Sequence, residues 1–302
     1  MDNTMDANAA DPCLYESVNN ADSHLDVELD WHSEPEILYF KSGHYRIYLD
    51  MEEIEINDEC FCIVNAGVLH KIESLDGKGI EYSLPFRLSA LRFSEEDTVQ
   101  QKLIGPLISG ELCFPPFINV SDIGFLSLLR PLNDCIRRFR DFGQKSGSIA
   151  ASVRYTLTDA ADQLLFKADL LHVIGLLESY GMIREPADAE EDRQVKVIKD
   201  SIMYIREHYS EKLYIHDLSD LTGLNEQYFI RFFGSAVGAS PLEYINRYRV
   251  GKAQEMLHES DLHVYEIAES CGFHNIGNFI KIFHSITGVT PHKFRKQLGL
   301  KD

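Results

Sequence analysis

Ile215-His-Asp-Leu-Ser-Asp-Leu-Thr-Gly-Leu224 is answered further along the chain by Val264-Tyr-Glu-Ile-Ala-Glu-Ser-Cys-Gly-Phe273, at an offset of 49 residues. With one residue inserted the match continues at an offset of 50. Phe229 then pairs with Phe279, Arg231 with Lys281, Phe233 with Phe283, Gly238 with Gly288, Pro241 with Pro291 and Tyr244 with Phe294. A constant offset over a dozen positions marks a duplicated unit. Each copy reads as a short helix, a glycine able to take positive φ at a corner, an apolar plug and a second helix. The small residues Ser219 and Ala268 precede the corner glycines by four, where two helices must approach closely. Asn225 and Asn275 suit the N-caps of the second helices. Between the copies, Pro241 to His258 has the length and the N-terminal proline of one continuous helix. A helical bundle or solenoid is the competing reading, but solenoids need three or more repeats.

The second helix of each copy divides into a buried and an open face. On Asn225 to Val237, burial of Phe229, Phe232 and Phe233 leaves Glu226, Gln227, Ile230 and Arg231 outward, beside the cap Asn225. On Asn275 to Ile286, burial of Phe279, Ile282 and Phe283 leaves Ile276, Gly277, Asn278, Ile280 and Lys281 outward. Such helices on a rigid connector suit successive major grooves of double-stranded DNA. Arg and Gln can fork onto guanine and adenine edges, whereas Lys offers a point charge and Ile only apolar contact.

The segment Gly272-Phe-His-Asn-Ile-Gly-Asn-Phe-Ile-Lys-Ile-Phe-His-Ser-Ile-Thr-Gly-Val-Thr-Pro-His-Lys-Phe-Arg295 closely resembles the signature of the AraC/XylS family of transcription regulators. The resemblance runs from about Val195 to Leu298. It implies a tandem helix-turn-helix domain over residues 195–302, with Asn225, Glu226, Gln227, Ile230, Arg231, Asn275, Ile276, Gly277, Asn278, Ile280 and Lys281 at DNA-contacting positions. It also implies RNA polymerase as a partner in the case of an activator. The sequence shows no nucleophile–base pair, phosphate loop or full metal set, so no enzymatic activity is expected.

The charge distribution bears on this reading. The chain has 29 Lys+Arg and 48 Asp+Glu, a net −19, which by itself opposes phosphate binding. From Val195 onward, however, 13 basic residues balance 13 acidic ones, and seven of the twelve histidines lie there. The excess acid belongs to the N-terminal part. No apolar run approaches the ~18 residues of a membrane span, and Met1 to Asp30 lacks the basic start and apolar core of a leader, so a cytoplasmic, membrane-free location is expected. Six scattered cysteines read as reduced structural thiols. Cys60 and Cys62 invite a metal, but alternation in a strand puts both on one apolar face.

Residues 30–95 show short apolar runs, Glu36 to Phe40 and Tyr45 to Leu49 among them, separated by Ser42-Gly43, Ala66-Gly67 and Asp76-Gly77, as in a small barrel or sandwich. Two amphipathic helices follow. One carries Ile123, Leu126, Leu129, Leu132, Ile136 and Phe139 with a kink at Pro131, and the other carries Leu164, Leu165, Ala168, Leu171 and Ile174. The expected fold class is α+β in two domains. It comprises an N-terminal arm over 1–28, flexible or partly ordered, a sensing and dimerising domain over 29–187, an acidic linker over 188–194 and the helical domain beyond.

Asp30-Trp-His-Ser-Glu-Pro-Glu-Ile-Leu-Tyr-Phe-Lys-Ser-Gly43, followed by Gly67-Val-Leu-His70, resembles the cupin-like effector domain that many such regulators carry. The period of a strand puts Asp30, His32 and Glu36 on one face. His32, Glu36 and His70 are the candidate ligand-binding residues, and a His/Glu/His set can bind hydroxyls, hold a metal or simply pack. The expectation is a small polar effector such as a sugar, with no metal, no cofactor and no catalytic residue. The resemblance further implies a homodimer, with the two helices after the barrel meeting their copies. A metal-dependent cupin enzyme with a helical appendage is the alternative, and a sensing module whose helical part binds protein is a third reading.

Overall fold

The computed structural model describes residues 12–19, 26–149, 152–186 and 193–297. The chain divides into two compact units, Thr4–Ala189 and Glu190–Asp302. In the first, the described residues form nine antiparallel strands: β1 (Cys13–Asn19), β2 (Asp26–Asp30), β3 (Glu36–Leu49), β4 (Glu52–Ile56), β5 (Cys60–Val64), β6 (His70–Pro85), β7 (Phe117–Asn119), β8 (Gln144–Ile149) and β9 (Ser152–Thr156). Their main order is β7-β5-β3-β6-β1-β9-β8, with β2 also on β6 and β4 also on β3.

The strands expected at Glu36 to Phe40 and Tyr45 to Leu49 are one long strand, β3. Ser42-Gly43 is a bend within it. The ladder to β6 slips between Phe40 and Ser42 and again between Gly43 and Tyr45, and Gly43 pairs with Gly79 there. Such slips reset the alternation of side chains. Leu38 and Phe40 before the bend, and Tyr45 and Ile47 after it, therefore share one apolar cluster with Cys60, Cys62, Val64 and Ile72. Cys60 and Cys62 do lie together on that apolar face, and burial pushes the Cys60 thiol up to about 12.

Part of the segment expected as an arm over 1–28 is ordered in the sheet. Its segment Cys13–Asn19 is a strand between β6 and β9, and Asp26–Asp30 pairs with β6. Residues 1–11 and 20–25 lie outside the described residues.

The other face of the sheet is covered by helices. After a short helix α1 (Gly105–Ser109) come α2 (Phe125–Phe142) and α3 (Ala160–Ser179), which pack on each other and on Leu14, Tyr39, Phe61 and Ile63. Their buried stripes match the expected ones only in part: Leu132, Ile136, Phe139 and Ile174 are buried as expected. α2 buries Phe125, Leu128, Leu132, Cys135, Ile136 and Phe139, and leaves Leu126 exposed; Ile123 precedes the helix and is exposed too. Phe125-Leu126 and Leu128-Leu129 offer two stripes one residue apart, and the one whose aromatic ring meets Phe61, 5.1 Å between centroids, is the one used. α3 buries Phe166, Leu170, Val173, Ile174 and Leu177, while Leu164 and Leu165 face solvent.

The second unit is helical: α4 (Arg193–His208), α5 (Ile215–Thr222), α6 (Glu226–Val237), α7 (Pro241–Glu259), α8 (Val264–Ser270), α9 (Ile276–Thr287) and α10 (Pro291–Gln297). Arg193 and Gln194, expected in the linker, belong to α4. The rest of that linker lies outside the described residues. No helix among the described residues is long and apolar enough to cross a membrane.

Candidate functional site

Pro35, which has no N–H to give a ladder, separates β2 from β3, so His32 sits in a loop and not on the strand face expected for it. The loop nevertheless returns His32 to the first residue of β3. His32 Nε2 lies 3.4 Å from Glu36 Oε2, and His70 Nε2, from the start of β6, lies 3.5 Å from the same oxygen. Glu36 is fully buried. Its other oxygen, Oε1, accepts a hydrogen bond from the Ser83 hydroxyl. Burial pushes the Glu36 carboxyl up, but His32, His70 and Ser83 together outweigh it and hold the group below the usual carboxylate range. His32 Nδ1 faces the Glu34 carbonyl and His70 Nδ1 the Val68 carbonyl, the latter at 3.1 Å. The two imidazoles meet edge to face, with centroids 5.0 Å apart. On β6 itself, opposite Phe40 of β3, Glu81 is buried with Oε1 lacking any hydrogen-bond partner among the described residues, and burial pushes its carboxyl well up.

In the helical unit the duplicated sequence produces duplicated geometry. The Tyr214 backbone N–H donates to Asp217 at 2.9 Å, and the His263 N–H to Glu266 at 2.7 Å, so α5 and α8 start alike. They also end alike, with Leu224 N–H on Ser219 O and Phe273 N–H on Ala268 O, at corners where Gly223 and Gly272 have φ of 66° and 78°. Asn225 and Asn275 cap α6 and α9, their side chains accepting from Gln227 and Asn278 N–H respectively.

Beneath the open faces lie matched ring stacks. Phe229, Phe233 and Tyr244 follow one another with centroids 5.6 and 5.8 Å apart, and Phe279, Phe283 and Phe294 with 5.5 and 5.7 Å. Aromatic triplets of this bulk fix each helix to its unit and leave its other side free. Within the helical unit, Arg249 of α7 donates to the carbonyls of Tyr209 and Glu211, each at 2.7 Å, and lies over the Phe273 ring at 5.7 Å.

Residues 218–297 match a family of helix-turn-helix domains. The C-terminal unit is an AraC-type helix-turn-helix domain. Over 93% of its length the chain is 22% identical to the uncharacterized HTH-type transcriptional regulator YdeC of Bacillus subtilis, covering 90% of that protein. It is 32% identical over 37% of its length to the uncharacterized HTH-type transcriptional regulator YtdP of the same organism, but covers only 15% of YtdP. The crystal structure of the DNA-binding domain of AdpA in complex with a target DNA matches 33% of this chain and 90% of that one, at 28% identity and a TM-score of 0.32. These relatives are regulators, not enzymes, and they lend no support to the alternative of a metal-dependent enzyme.

In the AraC-type domain the residues expected to face outward on α6 do so: Asn225, Glu226, Gln227, Ile230 and Arg231 are all exposed. On α9, Asn275, Ile276, Gly277, Asn278 and Lys281 are exposed, but Ile280 is half-buried against the Phe279 cluster. Phe232 and Ile282, expected inside, are likewise only half-buried. Among the described residues none pairs with the Arg231 guanidinium or the Lys281 ammonium. One outward residue escaped the sequence reading. Tyr228 is exposed and stacks parallel to Phe232 at 6.1 Å, and the repeat's own offset of 50, counted back from Asn278, points to it.

Proposed function

We propose that this protein is a transcription regulator that reads double-stranded DNA with α6 and α9 as a tandem helix-turn-helix. In this reading a cupin-like N-terminal domain responds to a small polar effector, with a carbohydrate as the first class to test, at His32, Glu36 and His70. The chain acts as a homodimer, for which Leu126, Leu164 and Leu165 supply exposed apolar surface. RNA polymerase is its partner if it activates. The observation that carries the DNA reading is the pair of matched ring stacks, each holding an N-capped helix whose open face includes a cation unpaired among the described residues, Arg231 on one and Lys281 on the other.

The test is binding of the full chain to the DNA upstream of its own coding region, followed by fluorescence anisotropy across a salt series. Log affinity should fall linearly with log salt, by roughly 0.9 per phosphate neutralised. Binding should survive excess unrelated DNA. Absence of binding at low salt, or a salt-independent affinity, rejects the reading.

A further inference from the structure

We infer that His32, Glu36 and His70 form a binding site for one divalent transition-metal ion per chain. The inference concerns the site already placed in the sensing unit and goes beyond the effector reading, which invokes no metal.

The argument starts from hydrogen-bond roles. A carbonyl oxygen can only accept, so the Nδ1 of His32 facing Glu34 O and the Nδ1 of His70 facing Val68 O both carry protons. With both rings neutral, each presents an Nε2 lone pair toward Glu36 Oε2, 3.4 and 3.5 Å away, whereas a protonated ring donates Nε2–H to that oxygen. In that neutral form three acceptors converge on one point. In a site this buried, such convergence is unfavourable unless a proton or a cation occupies the meeting point.

A metal fits the remaining geometry. One donor atom from each of the three residues lies within 4.8 Å of the others. Atoms so spaced share a point about 2.0–2.4 Å from each, against roughly 2.0–2.2 Å for zinc bound by imidazole and carboxylate. The outer partners are those of a ligand set as well. Backbone carbonyls orient both imidazoles, and the Ser83 hydroxyl occupies Glu36 Oε1 and leaves Oε2 for the ion. Two imidazoles with one carboxylate favour zinc, iron(II), cobalt or nickel over magnesium and calcium, which prefer all-oxygen sites. Three protein ligands leave coordination positions for water or for an oxygen-bearing effector.

The test uses full-length protein stripped with chelator and titrated with cobalt(II), which reports coordination through its visible d–d bands. One equivalent per chain should produce saturable bands, displaced by zinc, and should quench Trp31, the sole tryptophan, which adjoins His32. Glu36→Gln and His70→Ala should each weaken binding by tenfold to a hundredfold or more. If either variant loses the native circular dichroism, His32→Gln, altered in a loop, takes its place with the same expectation. Absence of saturable bands, as when a proton holds the point, overturns the inference; so does unchanged binding in the folded variants, which would assign the metal to other histidines. DNA affinity measured on the same preparation keeps the readings apart, because loss of metal binding with intact salt-dependent DNA binding removes this inference alone. Loss of DNA binding with intact metal binding removes only the DNA reading.

Discussion

Gly43 lies opposite Gly79 across the β3–β6 ladder, and both carry positive φ, 118° and 125°. A methyl group on Gly43 would lie 2.5 Å from the Lys78 carbonyl and 2.7 Å from the Tyr45 ring. One on Gly79 would run into the Ser42 carbonyl and approach Tyr45 Oη to 2.6 Å. Gly79→Ala therefore combines backbone strain with a clash against main chain, and should cost the N-terminal unit about 2 kcal/mol or more. Urea unfolding followed at Trp31 checks this, since that residue reports on the N-terminal unit alone. An unchanged midpoint would mean that the bend does not depend on the glycine pair.

The corner glycines of the two helical repeats should not be equally sensitive. Both adopt the left-handed conformation, but a methyl at Gly223 meets nothing within 4 Å, whereas one at Gly272 runs into the Tyr209 carbonyl and lies 3.0 Å from the Arg249 guanidinium. Gly223→Ala should cost about 1 kcal/mol, the strain of left-handed alanine. Gly272→Ala should cost about 3 kcal/mol or more, because backbone must move as well. Thermal melts read by helical circular dichroism would show the larger loss in the second variant, and equal losses would contradict the packing described at this corner.

Glu81 makes a prediction about pH. Burial first, and then the neighbouring Glu36 carboxylate, push its carboxyl up, with the Ser17 hydroxyl opposing. The folded state thus keeps a proton that the unfolded state releases above its ordinary value of about 4.3. Because the folded state binds more protons over that range, stability falls as pH rises from the unfolded value toward the folded one. Glu81→Gln removes the ionisable group while keeping its shape, so it should flatten this decline and raise the neutral-pH midpoint of Trp31-monitored unfolding above that of the wild type. A variant whose pH profile parallels the wild type would place the titration elsewhere.

For DNA reading, the two helices should contribute differently. Arg231→Ala should flatten base preference at one or two positions of its half-site, losing about 1–3 kcal/mol of discrimination. Lys281→Ala should weaken binding to all sequences nearly equally and shallow the salt slope by about one unit. A base-substitution scan of the bound DNA with both variants decides the matter. Lost preference in Lys281→Ala with unchanged preference in Arg231→Ala would reverse the assignment.

The helical unit was legible because its signals are local. Corner glycines, capping asparagines and aromatic spacing act within one repeat, and the repeat supplies its own control. Ile280 is one exception, beside Phe232 and Ile282: helical spacing puts it outward, but it leans on the Phe279 cluster. The N-terminal unit was less legible because its strands pair over long distances. Nothing around Cys13–Asn19 in an acidic arm signals a strand whose partners begin at Gly79 and Ser152. The meeting of His32, Glu36 and His70 was foreseen, but by assuming a continuous strand, and Pro35 makes it a loop. In α2, adjacent apolar residues left the choice of stripe to the tertiary partner, and Phe61 made it.

Arg249 holds the Tyr209 and Glu211 carbonyls that lead into the first repeat and covers the Phe273 ring of the second. One guanidinium thus ties the start of the helical unit to its second repeat, and a fixed tie of this kind would make the two repeats a ruler of set length and angular phase. On the proposed reading, a duplex whose two half-sites are moved to opposite sides of the helix by inserting about half a turn can be engaged by only one repeat at a time. The chain would then sense the distance between two short words of DNA as sharply as it senses their spelling.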